Sequence, residues 1–360
     1  MSQSPWIKVN EKRYSVDELR KTIVEDNLSG FEKSTLKFCH AWLTGQQEFT
    51  LQTSGSTGTP KPIVLRRTQM EASGRQTIEA LDLKAHETAL VCLDTKYIAG
   101  QMMLVRSLTA GMNIIAVEPS SNPLEKTEGD KIDFIALVPY QLENIIEQSQ
   151  DKLNKVRCAI IGGAAISNSL SEKIRKSGCA LFATYGMTET ISHIALQRLN
   201  GKNPQDSFES FPMINLRLDN RGCLCIKTNY LEEEIITNDL VELVGERKFK
   251  WLGRIDNVIN SGGIKVIPEK VESVLEKIFD QFQIRNRFFI TGLNNEKLGN
   301  QVTLVIEGFA FKDEIQNGVL TKARQALPKY ELPKNFIFIQ HFKETATGKI
   351  NRSATIASIQ

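Results

Sequence analysis

An α/β fold is what the sequence predicts: a large N-terminal domain of mostly parallel sheet flanked by helices, then a small α+β C-terminal domain. Three features carry this expectation. Apolar strand-like runs alternate with helical stretches through the first half of the chain, as in βαβ units whose crossover helices cover a parallel sheet. Beyond Pro212 the texture changes to short alternating runs, among them Cys223-Leu224-Cys225-Ile226 and Phe249-Lys250-Trp251-Leu252, which read as antiparallel ribbons. The 360 residues exceed what one core ordinarily holds, roughly 250 to 300. A boundary is therefore expected near Gly253-Arg254-Ile255-Asp256, dividing the chain into residues 1–253 and 254–360.

In chain order, short helices are expected near Ser15 to Leu19 and from Ser34 to Trp42, followed by an apolar strand that runs into a Ser/Thr/Gly-rich segment at Thr53. Strands then fall at Thr88 to Leu93, Asn113 to Val117, Phe134 to Val138 and Cys158 to Ile161, with helices through Gln101 to Leu108 and Leu142 to Gln148 between them. The last hundred residues hold a helix from Pro268 to Phe279, strands around Arg287 to Ile290 and Gln301 to Ile306, and a helix from Lys312 to Ala326.

A formal charge of +3 is too close to neutral to suggest nucleic acid or an anionic membrane as partner. No apolar run is long enough to span a bilayer, and the N-terminus lacks the apolar core of a signal peptide, so a cytoplasmic protein is expected, with room for a homo-oligomer. The six cysteines do not complete a metal-ligand set; buried free thiols are expected.

Residues 51–62, Leu51-Gln52-Thr53-Ser54-Gly55-Ser56-Thr57-Gly58-Thr59-Pro60-Lys61-Pro62, gather hydroxyls, glycines and a lysine after a short apolar strand. Glycine lets backbone N–H groups approach an anion, hydroxyls donate further bonds and lysine adds a mobile charge. A flexible linker has similar composition, but does not explain Thr59-Pro60-Lys61-Pro62 leading into apolar Ile63-Val64-Leu65. A Walker loop is excluded, because Lys61 follows no glycine and Pro62 stands where its hydroxyl should be.

Five more segments carry candidate chemistry. Ile160 to Ile166 is a strand ending in the turn Gly162-Gly163-Ala164. Ala183-Thr184-Tyr185-Gly186-Met187-Thr188-Glu189 offers an aromatic face for a base, a close-approach glycine, a hydroxyl for phosphate and a carboxylate for Mg²⁺; on local grounds Thr188 could equally cap a helix. Asp239 precedes a strand, as solvated turn residues also do. Trp251 to Glu272 and the basic cluster Lys343 to Arg352 complete the set.

Taken together, in this order, these segments resemble the adenylate-forming superfamily of acyl-CoA synthetases, luciferases and peptide-synthetase adenylation domains. Its signatures are T-S-G-[ST]-T-G-x-P-K, Y-G-x-T-E, T-[GS]-D, a G-R-x-[KD]-[DE] hinge and a C-terminal T-G-K. The resemblance spans residues 51 to 352. It implies ATP held by Thr53, Ser54, Gly55, Ser56, Thr57, Gly58 and Lys61, with adenine bordered by Gly162, Gly163, Ala164, Tyr185, Gly186 and Met187. Thr188 would contact the α-phosphate, Glu189 would hold Mg²⁺, and Asp239 and Arg254 would meet the ribose. Asn238 departs from the usual small residue. Asp256 would be the pivot on which the small, mobile domain turns, Ser261, Gly262 and Gly263 would wall the coenzyme A tunnel, and Lys349 would swing over the reacting carboxylate.

Such parts suit one reaction. Bringing a carboxylate onto the α-phosphate sets an anion against a polyanion, a barrier that positioned cations and donors lower; a thiol then needs the same carbonyl with Lys349 withdrawn, which a hinge allows. Lys96 and Arg106 flank an apolar helix around the expected acyl pocket, as suits an acid with a second carboxylate, though either could be a surface charge. The short segment before the phosphate loop, where acyl-CoA synthetases carry a much longer one, and the K-Y-I-A-G-x-M stretch resemble the o-succinylbenzoate–CoA ligases of menaquinone biosynthesis. A ligase for another aryl or acyl acid, an enzyme that loads a carrier-protein thiol, and a silent nucleotide-binding scaffold remain alternatives. No general base for the thiol shows itself: His193 follows the Tyr185 motif, and a histidine on a helix is ordinarily structural.

Overall fold

The alternation of strands and helices folds, in a computed structural model that describes residues 4–21, 28–52, 62–127, 129–344 and 350–358, into one 13-stranded sheet. Six strands lie side by side and parallel, in the spatial order Trp6–Val9, Asn113–Ala116, Thr88–Val91, Phe134–Leu137, Cys158–Ile161 and Ala180–Gly186. Phe134–Leu137 and Cys158–Ile161 are buried at every position, which is why they read as unbroken apolar runs rather than alternating ones. The helices covering the sheet include Arg67–Ala80 and Ile98–Ala110, packed on each other.

The antiparallel half starts earlier than Pro212. His193–Arg198 already runs back along Ala180–Gly186, because residues 187–192 turn the chain directly beside itself. Phe208–Ser210, Lys248–Arg254, Ile235–Leu243, Cys223–Thr228 and Ile214–Leu218 then extend the sheet to its end. A separate antiparallel pair, Glu48–Gln52 with Pro62–Arg66, brackets residues 53–61.

After Arg254 a second sheet begins. Its five strands are Ile259–Ser261, Ile264–Val266, Phe288–Asn295, Gly299–Glu307 and Asn335–Ile339. Helices Pro268–Gln281 and Asp313–Ala326 cover it, the first opening on a proline whose missing N–H costs nothing there. Val271, Leu275, Ile278, Leu304 and Val319 form a buried cluster distinct from those under the large sheet. All six cysteines are free and buried, as expected. No helix among the described residues is long and apolar enough to cross a membrane.

Candidate active site

At the carboxyl ends of the parallel strands, where open α/β sheets bind ligands, lies a cavity of ≈ 280 Å³. Leu93, Ala136, Leu137, Val138 and Ile160 make it apolar, Gly162, Gly163, Thr184 and Gly186 line it from the strand ends, and Ile98, Ala99 and Arg106 come from helix Ile98–Ala110. The turn after Gly186 contributes Met187, Thr188, Ile191, Ser192 and His193. This turn is tightly specified. Thr190 Oγ1 accepts from Met187 N at 3.0 Å and lies 2.7 Å from the Ser192 carbonyl, while Ile191 takes φ +70°, a conformation a β-branched residue adopts only under constraint. A side chain on Gly186 would collide with the His193 backbone.

Arg106 is the chemically unusual residue here. It is 2% exposed, yet no carboxylate among the described residues pairs with it. Its Nε donates to Thr77 Oγ1 at 3.1 Å, and its Nη2 donates to Ser192 Oγ and to His193 Nδ1, the latter at 3.3 Å. His193 Nε2 lies 3.0 Å from the same Thr77 hydroxyl. Burial lowers the Arg106 guanidinium to about 9, still well above neutral pH, so it stays charged. Burial first, and Arg106 second, push the His193 imidazole well below its ordinary value and keep it neutral. Sequence reasoning singled out Arg106 but set His193 aside as a helical residue. It is in fact the first residue of strand His193–Arg198; the turn-forming Thr190 was the available signal.

Lys96 does not join Arg106. It is exposed, outside the cavity lining, and its ammonium points toward Gly30. Of the two cations expected beside the cavity only Arg106 lines it among the described residues, because Lys96 precedes the first turn of the helix whose inner face carries Arg106.

The other expected residues divide by place. Thr53, Ser54, Gly55, Ser56, Thr57, Gly58 and Lys61, and also Lys349, lie outside the described residues. Gly163 has φ +86°, a glycine-favouring conformation, and Ala164 is exposed just beyond it. Thr188 lines the cavity; Glu189 is exposed, and no hydrogen bond or ion pair engages it among the described residues. The Tyr185 ring packs on Phe249 and Phe208, at centroid distances of 5.0 and 5.8 Å. Its hydroxyl donates to Asp239 Oδ2 at 2.6 Å. Trp251 Nε1 donates to Asp239 Oδ1 at 3.2 Å, and Arg254 stands 3.6 Å from the same atom. Arg254 also holds Asp256 at 2.7 Å. Asn238, the residue that departs from the T-[GS]-D pattern, donates to both Asp256 oxygens at 3.1 and 3.2 Å. Gly262 and Gly263, after Ser261, both have positive φ, and Gly262 N donates to the Leu298 carbonyl at 2.8 Å.

Among the described residues no group of three or more His, Cys, Asp or Glu could cage a metal. A single unpartnered carboxylate such as Glu189 suits Mg²⁺ that arrives with phosphate oxygens, the usual manner for that ion. The donor set therefore fits a magnesium nucleotide.

Residues 43–218 match the family model of the AMP-binding enzymes. A crystal structure described as an acyl-CoA synthetase (AMP-forming)/AMP-acid ligase II-like protein from Dyadobacter fermentans is 36% identical, with a TM-score of 0.64 over 96% of this chain and 98% of that one. The chain belongs to the AMP-binding, adenylate-forming enzymes. Another relative in this family, the 2-succinylbenzoate–CoA ligase of Listeria innocua, is 25% identical over 94% of this chain and 76% of its own. The o-succinylbenzoate coenzyme A synthetase (MenE) from Bacillus subtilis, solved with ATP and magnesium, shares the adenylate-forming fold at 21% identity and a TM-score of 0.72, over 85% of this chain and 69% of that one.

Proposed function

We propose that the protein is an ATP-dependent acid–CoA ligase that converts o-succinylbenzoate to its coenzyme A thioester through an acyl adenylate, in menaquinone biosynthesis and in the cytoplasm. The observation that carries the choice of acid is Arg106, a buried cation at the wall of an apolar cavity with no acidic partner among the described residues. Burying an unpaired charge is costly, and a substrate with a second carboxylate would supply the missing partner. The names of the similar ligases point to the same aromatic dicarboxylate.

In this reading ATP would lie across the strand ends, with Thr53 to Lys61, Thr188 and Lys349 around its phosphates and Asp239 and Arg254 at the ribose. Magnesium held at Glu189 would neutralise phosphate charge. Residues 1–253 and 254–360 would act as two domains, the second turning about Asp256 so that Lys349 and then the Gly262-Gly263 loop face the acid. The separate sheets and separate buried clusters on either side of Arg254 support that division.

A screen of carboxylic acids for ATP–pyrophosphate exchange, with mass detection of the adenylate and then addition of coenzyme A, tests the reading. Release of pyrophosphate with o-succinylbenzoate and thioester formation are expected. Preference for a benzoate or a fatty acid would reject the named acid, and adenylate that passes only to a carrier-protein thiol would reject the coenzyme A step. Lys349→Ala is expected to lower adenylate formation by orders of magnitude while sparing thioester formation from supplied adenylate.

A further inference from the structure

Hydrogen bonds from two other elements aim Arg106, and what that does for selectivity rests on the reading just given. Arginine donates only, so the imidazole nitrogen that faces it, Nδ1 of His193 at 3.3 Å, must present its lone pair. The proton of the neutral ring is therefore on Nε2, which donates to Thr77 Oγ1 at 3.0 Å. That oxygen also accepts from Arg106 Nε at 3.1 Å. Arginine, histidine and threonine thus close a ring of hydrogen bonds across three elements: helix Arg67–Ala80, helix Ile98–Ala110 and strand His193–Arg198.

The ring uses Nε and Nη2 of Arg106, and Nη1 has no partner among the described residues. Ser192 Oγ, which accepts from Nη2, lines the cavity and lies 3.3 Å from His193 Nδ1, to which its own proton points. A carboxylate in the cavity could take Nη1–H, and the Ser192 hydroxyl on turning it away from Nδ1. An unrestrained arginine would have to lose side-chain freedom to meet it; one already held by Thr77 and His193 would not.

We propose that His193 and Thr77 are positioning residues that aim Arg106, and that through it they set the preference of the cavity for acids with a second carboxylate. The selectivity would then rest on a neutral, single-tautomer histidine, not on a second cation.

The test compares pyrophosphate release by the full chain on o-succinylbenzoate with two matched monocarboxylates, 4-oxo-4-phenylbutanoate and 2-butanoylbenzoate. Each lacks one of the two carboxylates. His193→Phe keeps a ring against Phe211, 5.6 Å away, but has no acceptor. It is expected to lower the dicarboxylate-to-monocarboxylate ratio of kcat/KM about 10- to 100-fold, with the loss in KM, as removing one aligned charged hydrogen bond does. Thr77→Val should act in the same direction, and His193→Asn, whose amide oxygen can replace Nδ1, should recover part of the ratio. Equal losses on all acids, or an unchanged ratio in both His193→Phe and Thr77→Val, would overturn the proposal while leaving the named activity intact. A wild-type enzyme that does not prefer o-succinylbenzoate would instead overturn the functional reading, and this inference with it.

Discussion

A neutral histidine inside the protein links stability to pH. His193 is buried and its pKa in the folded protein is well below 6.5, whereas in the unfolded chain it titrates at its ordinary value near 6.5. Above that value neither state binds the proton, and His193 contributes no pH dependence. As pH falls below it the unfolded chain gains a proton that the folded protein refuses, so stability declines by up to about 1.4 kcal/mol per pH unit until the folded pKa is reached. Urea denaturation between pH 7 and pH 5 should show this slope, and His193→Asn should remove it. Arg106→Leu acts in the opposite sense. An apolar side chain of similar bulk relieves a buried charge that has no acidic partner among the described residues, so the melting temperature should hold or rise while turnover of the dicarboxylate collapses. A calorimetric scan beside an activity assay would check both halves. Arg106 was legible in the sequence as a cation on an otherwise apolar helix. His193 was not, because its role depends on Thr77, over a hundred residues away, and no local pattern connects the two.

At the level of elements, the parallel strands were legible because burial on both faces makes their sequences uniformly apolar. The segment from Gly186 to His193 was not. Its composition suits a helix start, yet Gly186 stands opposite His193 in the antiparallel register, too close for any side chain, and the strained Ile191 completes the turn. Tertiary pairing overrides local propensity there. Gly186→Ala would force the two backbones apart, and it should destabilise the protein by about 1–3 kcal/mol and disturb Thr188, Ser192 and His193 together. A lowered urea midpoint with a matching loss of adenylate formation is the expected result; full activity would show that the turn tolerates displacement.

At the scale of the whole molecule, a 13-stranded sheet, a five-stranded sheet after Arg254 and a separate strand pair make up the described residues, and the five-stranded sheet has a buried apolar cluster of its own; the texture change at Pro212 falls within the large sheet. How the end of the chain is tied down was not legible in the sequence, since the basic cluster from Lys343 to Arg352 reads equally well as a solvated tail. Glu272, on the helix that opens the smaller sheet's covering layer, accepts from Arg352 Nη2 at 2.9 Å and from Ile290 N at 2.7 Å. Arg287 meets Glu344 at 2.6 Å, and Glu344 bridges to Ile350. Residues on both sides of Lys349 are thus fastened to the smaller sheet. If the two sheets belong to separately cooperative units, loss of one anchor should loosen only the smaller. Arg352→Ala leaves the mostly buried Glu272 carboxylate without its cation, at a cost of about 3 kcal/mol. Hydrogen exchange should then quicken across residues 259–339 while amides of Thr88–Val91, Phe134–Leu137 and Cys158–Ile161 keep their protection. Exchange that quickens equally in both sheets would show one cooperative body, and would remove the physical basis for a domain that turns on Asp256.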